Sequence, residues 1–291
     1  QYPVFPWIMN KVPPRMLRRD LSKPMGKQNL ERFEIFREKY DSSDIDKHFY
    51  GSFYSASAIV LHFLVRVQPF TNLHMELHNG FDHRDRHFYN IETEYITASS
   101  ESSHNVEELI PEFYTFPELL MDPNEIHMPD TTNGQKVETV KVPEWAKSPV
   151  DYIWSMRALL DKKKNINKWI DLIFGVMSRG ENAASIGNLF YPATYGIIPE
   201  TLCNDTVAFE EMKRSYGQIP TQLFNEPHPP RERVTSFKKP LLFQSESVFR
   251  QLVKFDFQSQ HSDPILIGTS IIDCERHFEA LTGKKSILLK G

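Results

Sequence analysis

Trp169-Ile170-Asp171-Leu172-Ile173-Phe174-Gly175 sets one carboxylate inside an otherwise apolar run. The clustering of Trp169, Ile170, Ile173 and Phe174 predicts a core helix over 167–177, with Gly180 as its C-terminal cap. A buried carboxylate needs hydrogen-bond donors. Asp171 is therefore read as an internal partner for backbone groups. Working outward, other strings share this texture. They are Gln1-Tyr-Pro-Val-Phe-Pro-Trp7, Arg19-Asp-Leu-Ser-Lys-Pro24, Tyr50-Gly-Ser-Phe-Tyr-Ser55 and Glu108-Leu-Ile-Pro-Glu-Phe-Tyr114. Tyr216-Gly-Gln-Ile-Pro-Thr-Gln-Leu-Phe224 and His228-Pro-Pro-Arg231 complete the set. Asp20, Ser22, Glu108, Glu112, Asp171, Gln218 and Thr221 are read together as internal caps and hydrogen-bond partners, because extended core backbone lacks helix partners of its own.

Twenty prolines against 12 glycines predict many extended segments pinned by proline. Residues 1–7 read as an extended, buried segment covered by neighbours upstream, and the chain itself reads as a portion of something longer. Helices are expected at 30–40 (capped by Asn29, with Leu30, Phe33, Phe36 and Tyr40 on one face), 57–67 and 71–78. Further helices are expected at 84–96, 150–160 and 206–216. Residues 109–120, with Pro111 and Pro117, read as broken turns, and 122–134 as a loop.

The composition excludes several classes of function. The 291 residues are 40% hydrophobic and 25% charged, which is enough for a sizeable core and argues against disorder throughout. A net charge of −4 gives no basic field for nucleic acid. The longest apolar run, 56–67, is broken by His62 and Arg66 and is too short to span a bilayer. Two cysteines, Cys203 and Cys274, build no disulfide framework and suit a reducing compartment.

Catalytic constellations are weak. His74/His78 and His83/His87 are i, i+4 pairs, the spacing that puts two imidazoles on one helix face, with Asp82 and Asp85 nearby. No Glu follows the first His, and Gly80 interrupts the segment. A zinc-dependent hydrolase using His74 and His78 is therefore the alternative reading. Cys203 stands before a helix but lacks a recognisable base. There is no Gly-x-Ser-x-Gly elbow, Walker loop or Gly-x-Gly-x-x-Gly. The adjacent Glu107-Glu108 reads as a solvated first turn, in tension with the internal role given to Glu108 above.

Taken in order, the quoted strings resemble the BEACH domain, the module of neurobeachin and the lysosomal-trafficking regulators. The resemblance covers residues 1–231. Phe53 stands where a His is frequent, Arg18 where Phe is frequent, and the stretch between Trp7 and Arg19 is short. The resemblance implies a mainly α fold with a core of extended irregular segments flanked by helices. It also implies a non-catalytic scaffold in vesicle or membrane trafficking (lysosome-related, autophagic or secretory), cytoplasmic or peripheral on endomembranes. Such a domain packs on a PH-like domain and docks trafficking or signalling proteins. No cofactor, metal or nucleic acid is implied.

Residues 232–291 change in texture. Short β-branched and aromatic runs separated by turns predict strands, and residues 231–291 carry +3, leaving −7 on residues 1–230. By resemblance this segment is a linker and the start of a WD-repeat β-propeller. A direct lipid-binding role is disfavoured by the −7. Arg18, Arg19 and Lys23, charged and next to a proline-punctuated loop, are the candidates for docking a partner. The competing reading is that Asp20 and Ser22 cap the local turn.

Overall fold

A computed structural model describes residues 2–9, 18–81, 87–122, 124–126, 128–134, 136, 139–203 and 205–231. Helix α1 (Leu30–Ser42) starts where Asn29 accepts a hydrogen bond from the Arg32 N–H. At about 100° per residue, Phe33, Phe36 and Tyr40 fall within a narrow arc. Leu30 lies beyond that arc and is 61% exposed, so it leaves the core face on which the sequence placed it. Helix α2 (Ser57–Phe63) is shorter than expected. Residues 64–69 turn instead, with Val67 N–H donating to the Leu64 carbonyl, and the buried Arg66 donates to the Phe88 carbonyl. Helix α3 (Phe70–His78) closes through left-handed Asn79 and a Gly80 N–H bond to the Met75 carbonyl, as expected.

Helix α4 (Ile91–Ile96) is a correction to 84–96, of which 82–86 lie outside the described residues. Residues 87–90 are not helical, and Asn90 caps α4 by accepting from the Glu92 and Thr93 N–H groups. A π turn, Thr97–Glu101, follows. The prolines at 111 and 117 each open a short 3-10 turn, Pro111–Tyr114 and Pro117–Leu120. Helix α5 (Pro149–Lys162) is capped by Ser148 and packs on both of these turns.

Helix α6 (Ile166–Ile173) buries Trp169, Leu172 and Ile173. It ends before 177 because the chain turns there, with Met177 N–H bonding the Asp171 carbonyl. Gly180 does not cap it. It opens helix α7 (Gly180–Ile186) instead. Helix α8 (Thr206–Tyr216) is capped by Asp205.

The fold is mainly α. Among the described residues, sheet pairing is confined to isolated bridges: Phe5 with Leu109, Tyr50 with Phe190 and Asn90 with Lys141. Around these bridges the extended segments form the core. Val4, Trp7 and Ile8 are almost completely buried. Residues of the chain itself supply this cover. Phe5 exchanges backbone bonds of 2.7 and 2.9 Å with Leu109, and Trp7 packs on Tyr95 and Phe113. A second aromatic block joins Phe53 and Tyr54 to Phe190, and Phe36 to Tyr50. Residues 232–291, with their expected strands and propeller start, lie outside the described residues, as does Cys274.

Gly187 marks a close approach. Its φ is +76°, and a Cβ placed there would lie 2.3 Å from Cζ of Phe33. Gly187→Ala should therefore lower stability by about 1–3 kcal/mol through overpacking, with left-handed strain added. Urea denaturation checks this, and a loss below about 0.5 kcal/mol would show that Phe33 moves aside freely.

Candidate functional site

The polar residues of the strings meet one another inside the protein. Glu108 is the hub. Its side chain is 1% exposed, and its Oε1 accepts from Arg19 Nη2 at 2.5 Å and from Trp169 Nε1 at 2.9 Å. Its Oε2 accepts the Trp7 backbone N–H at 2.9 Å. One carboxylate thus joins four strings: 1–7, 19–24, 108–114 and 169–175. Arg19 adds bonds from Nη1 to the Lys23 and Asp20 carbonyls, fixing the turn that follows it. Trp7 Nε1 donates to the Glu107 carbonyl at 2.9 Å.

The pattern repeats around this hub. Glu112 accepts from the Tyr2 hydroxyl, and the Tyr114 hydroxyl donates to the Pro6 carbonyl at 2.6 Å. Asp171 Oδ1 accepts the His228 N–H at 2.9 Å, tying 228–231 to α6 as its reading required. Gln218 Nε2 donates to the Ala193 carbonyl, and Ser55 Oγ bonds both N–H and C=O of Gln218. Asp20 accepts from Ser22 N–H and Oγ, which holds its carboxyl below the usual carboxylate range. Ser22 and Thr221 are exposed, a correction to their assignment as internal partners.

Glu107 and Glu108 are not a solvated first turn. Neither lies on a helix: the backbone there is extended beside residues 5–7, Glu108 is buried and Glu107 is only partly exposed. Burial above all pushes the Glu107 carboxyl up to about 7, and the Glu94 charge adds to it. His62 and a hydrogen bond from Asn105 oppose this rise. His62 lies 3.3 Å from Glu94. Burial disfavours its charge, but Glu94 and Glu107 outweigh that and raise its pKa.

The pH consequence has a definite sign. Folded Glu107 holds a proton to about pH 7 and the unfolded group to about 4.5, so stability falls as pH rises between these values. The raised His62 acts in the same direction. Its contribution is complete below the unfolded value of 6.5 and is lost as pH rises through its folded value. His74, lowered to about 4, acts oppositely. Comparison with Glu107→Gln isolates the first effect. The variant should gain about 2–3 kcal/mol on wild type between pH 4.5 and 7.5, measured by urea denaturation at both pH values. A gap that does not change with pH would contradict a buried, protonated Glu107.

The histidines come partly together. The ring centroid of His74 lies 4.5 Å from that of His78 and 5.0 Å from that of His87. His83, Asp82 and Asp85 lie outside the described residues. Burial first, then the neighbouring His87, His78 and His62, hold His74 at about 4. Among the described residues no three His, Cys, Asp or Glu side chains are placed to hold a metal. The zinc reading therefore gains no geometric support there. Cys203 is exposed, and the α8 N-terminus beside it is already taken by the Asp205 carboxylate, which accepts from Val207 and Ala208.

The three docking candidates separate. Arg18 is exposed. Lys23 has a side chain 43% exposed, 3.7 Å from Asp20. Arg19 is 6% exposed and committed to Glu108, so it belongs to the interior. Sequence reasoning took Arg19 for surface because its partner lies 89 positions away.

Comparison with known proteins gives a family model described as Beige/BEACH domain, which matches residues 1–231. BEACH domain-containing protein B of Arabidopsis thaliana is 37% identical over 94% of this chain, which spans 11% of that protein. A putative neurobeachin homolog of Caenorhabditis elegans is 34% identical over 88% of the chain and 11% of its own length. BEACH domain-containing protein lvsD of Dictyostelium discoideum is 38% identical over 80% of the chain and 8% of its own length. The chain thus spans about a tenth of the curated relatives it matches. Among the described residues no helix is long and apolar enough to cross a membrane.

Proposed function

The chain belongs to the Beige/BEACH domain family, and from that premise we propose that it is a non-catalytic scaffold module in membrane trafficking. It packs on a PH-like domain of the same full-length protein and docks trafficking or signalling proteins, on the cytoplasmic face of vesicles, lysosome-related or autophagic membranes. One observation carries the reading. Glu108, Arg19, Trp7 and Trp169, from four motif strings, are bonded together in the interior, which leaves them for architecture and not for chemistry on a substrate. A rigid framework of this kind suits presentation of surface segments.

Arg18 and Lys23 are the exposed members of the docking segment and contribute to the partner contact. The test is a titration of the chain with a purified PH-like domain from a family member. Arg18→Glu with Lys23→Glu should weaken binding about tenfold and move stability by no more than about 0.5 kcal/mol, as surface changes do. Unchanged affinity would remove these two residues from the contact. No binding by the wild-type chain would remove the PH-like partner.

A further inference from the structure

The C-terminal end of α5 gathers positive charge. Lys162 and Lys164 are exposed there and Lys163 is half-buried between them. Arg231 folds back onto the same end, with Nη1 donating to the Leu160 carbonyl at 3.2 Å and to the Asp161 carbonyl at 2.5 Å. Burial first, and then the positive charges of Arg18 and Arg19, lower the pKa of Lys163. Among the described residues none of Lys162, Lys163, Lys164 and Arg231 has an ion-pair partner. Arg19 is neutralised by Glu108 below them.

We propose that Lys162, Lys163, Lys164 and Arg231 form a docking surface for an acidic peptide segment of a partner protein. The proposal rests on the scaffold reading above and gives it a second, chemically defined contact. Charge complementarity identifies the occupant. Like charges crowded on a half-buried lysine are relieved by carboxylates, and arginine offers them a planar pair of donors.

Two observations favour a peptide over a membrane. Residues 1–230 carry −7 overall, so a broad anionic surface meets repulsion from the rest of the molecule. A short segment feels only charges within a screening length of about 8 Å. Among the described residues, no large exposed apolar side chain adjoins Lys162–Lys164 or Arg231 in the sequence. The exposed ones, such as Leu73, Leu77, Ile197 and Val207, lie elsewhere in the sequence. The downstream part of this chain is not the occupant on charge grounds, since residues 231–291 carry +3.

The probe is a fluorescein-labelled peptide of twelve glutamates, titrated with the 291-residue chain and read by anisotropy at low and at physiological salt. Wild type should bind saturably, and more weakly as salt rises. Lys162→Glu with Lys163→Glu and Lys164→Glu should lose about tenfold or more in affinity. Lys162→Glu with Lys164→Glu, both exposed, should lose at least about fourfold, and so keeps the test valid if the half-buried Lys163 matters for folding. A control triple reversal at Arg37, Lys39 and Lys47, exposed on and just after α1, should lose less than about twofold. An equal loss in the control would reduce the effect to net charge, and no binding by wild type would remove the site. Tighter, patch-dependent binding to phosphatidylserine vesicles than to the peptide would make it a membrane contact and overturn the proposal. None of these results depends on the PH-like domain, so this surface and the Arg18/Lys23 contact fail separately.

Discussion

Glu108→Ala should lower stability by about 3–5 kcal/mol, the cost of leaving a buried charge without its partner. The carboxylate receives bonds from Arg19, Trp169 and the Trp7 backbone. Its removal strands three donors in a region where Trp7 is fully buried and Arg19 is 6% exposed. Glu108→Gln keeps the shape and one acceptor but cannot balance Arg19, so it should fall between the alanine variant and wild type. Urea denaturation of the three proteins measures this. A loss of under about 1 kcal/mol for Glu108→Ala would show that water or a neighbour takes over the hub.

Trp169→Ala should cost about 3–5 kcal/mol by leaving a cavity beneath α6. The indole is 5% exposed and meets Phe174 edge-on at 6.0 Å. Trp169→Phe keeps most of the packing and removes only the bond to Glu108, so it should cost about 1–3 kcal/mol. Because Trp169 and Glu108 share that bond, the two losses should not add in the double variant. A Trp169→Ala protein that kept wild-type stability and lost a partner would place this residue in a contact surface instead.

The helices were legible where a cap and a period agreed. Asn29 begins the helix that follows it, since a short acceptor beside free N–H groups is a local signal. The broken turns at Pro111 and Pro117 were legible for the same local reason. Gly180 was misread because a glycine with positive φ serves a C-terminus or a loop entry equally well, and only the turn over 174–178 decides between them. The helix at 84–96 failed because Tyr89 and Asn90 are held by pairing with Lys141, a contact about fifty positions away that leaves no local trace.

At the candidate site, the internal use of Glu108, Glu112, Asp171 and Gln218 was readable from polar groups set inside apolar strings. Which group each one meets was not, because every partner comes from a distant string. Arg19 shows the limit most clearly. Beside Arg18 in a charged stretch, it has the appearance of a surface residue, and only Glu108 makes it a core one. Ser22 and Thr221 show the opposite error. A polar residue in an apolar string still faces solvent when the backbone turns it outward.

The claim at the centre of this account is that the motif residues hold one another in the interior. A double-mutant cycle between Arg19→Met and Glu108→Met, each variant measured by urea denaturation, tests it most directly. The account predicts two costly single variants, a double variant more stable than either, and a coupling energy of about 2 kcal/mol or more. Losses that add to within about 0.5 kcal/mol would contradict it, since two residues that do not sense each other cannot be the hub of the framework.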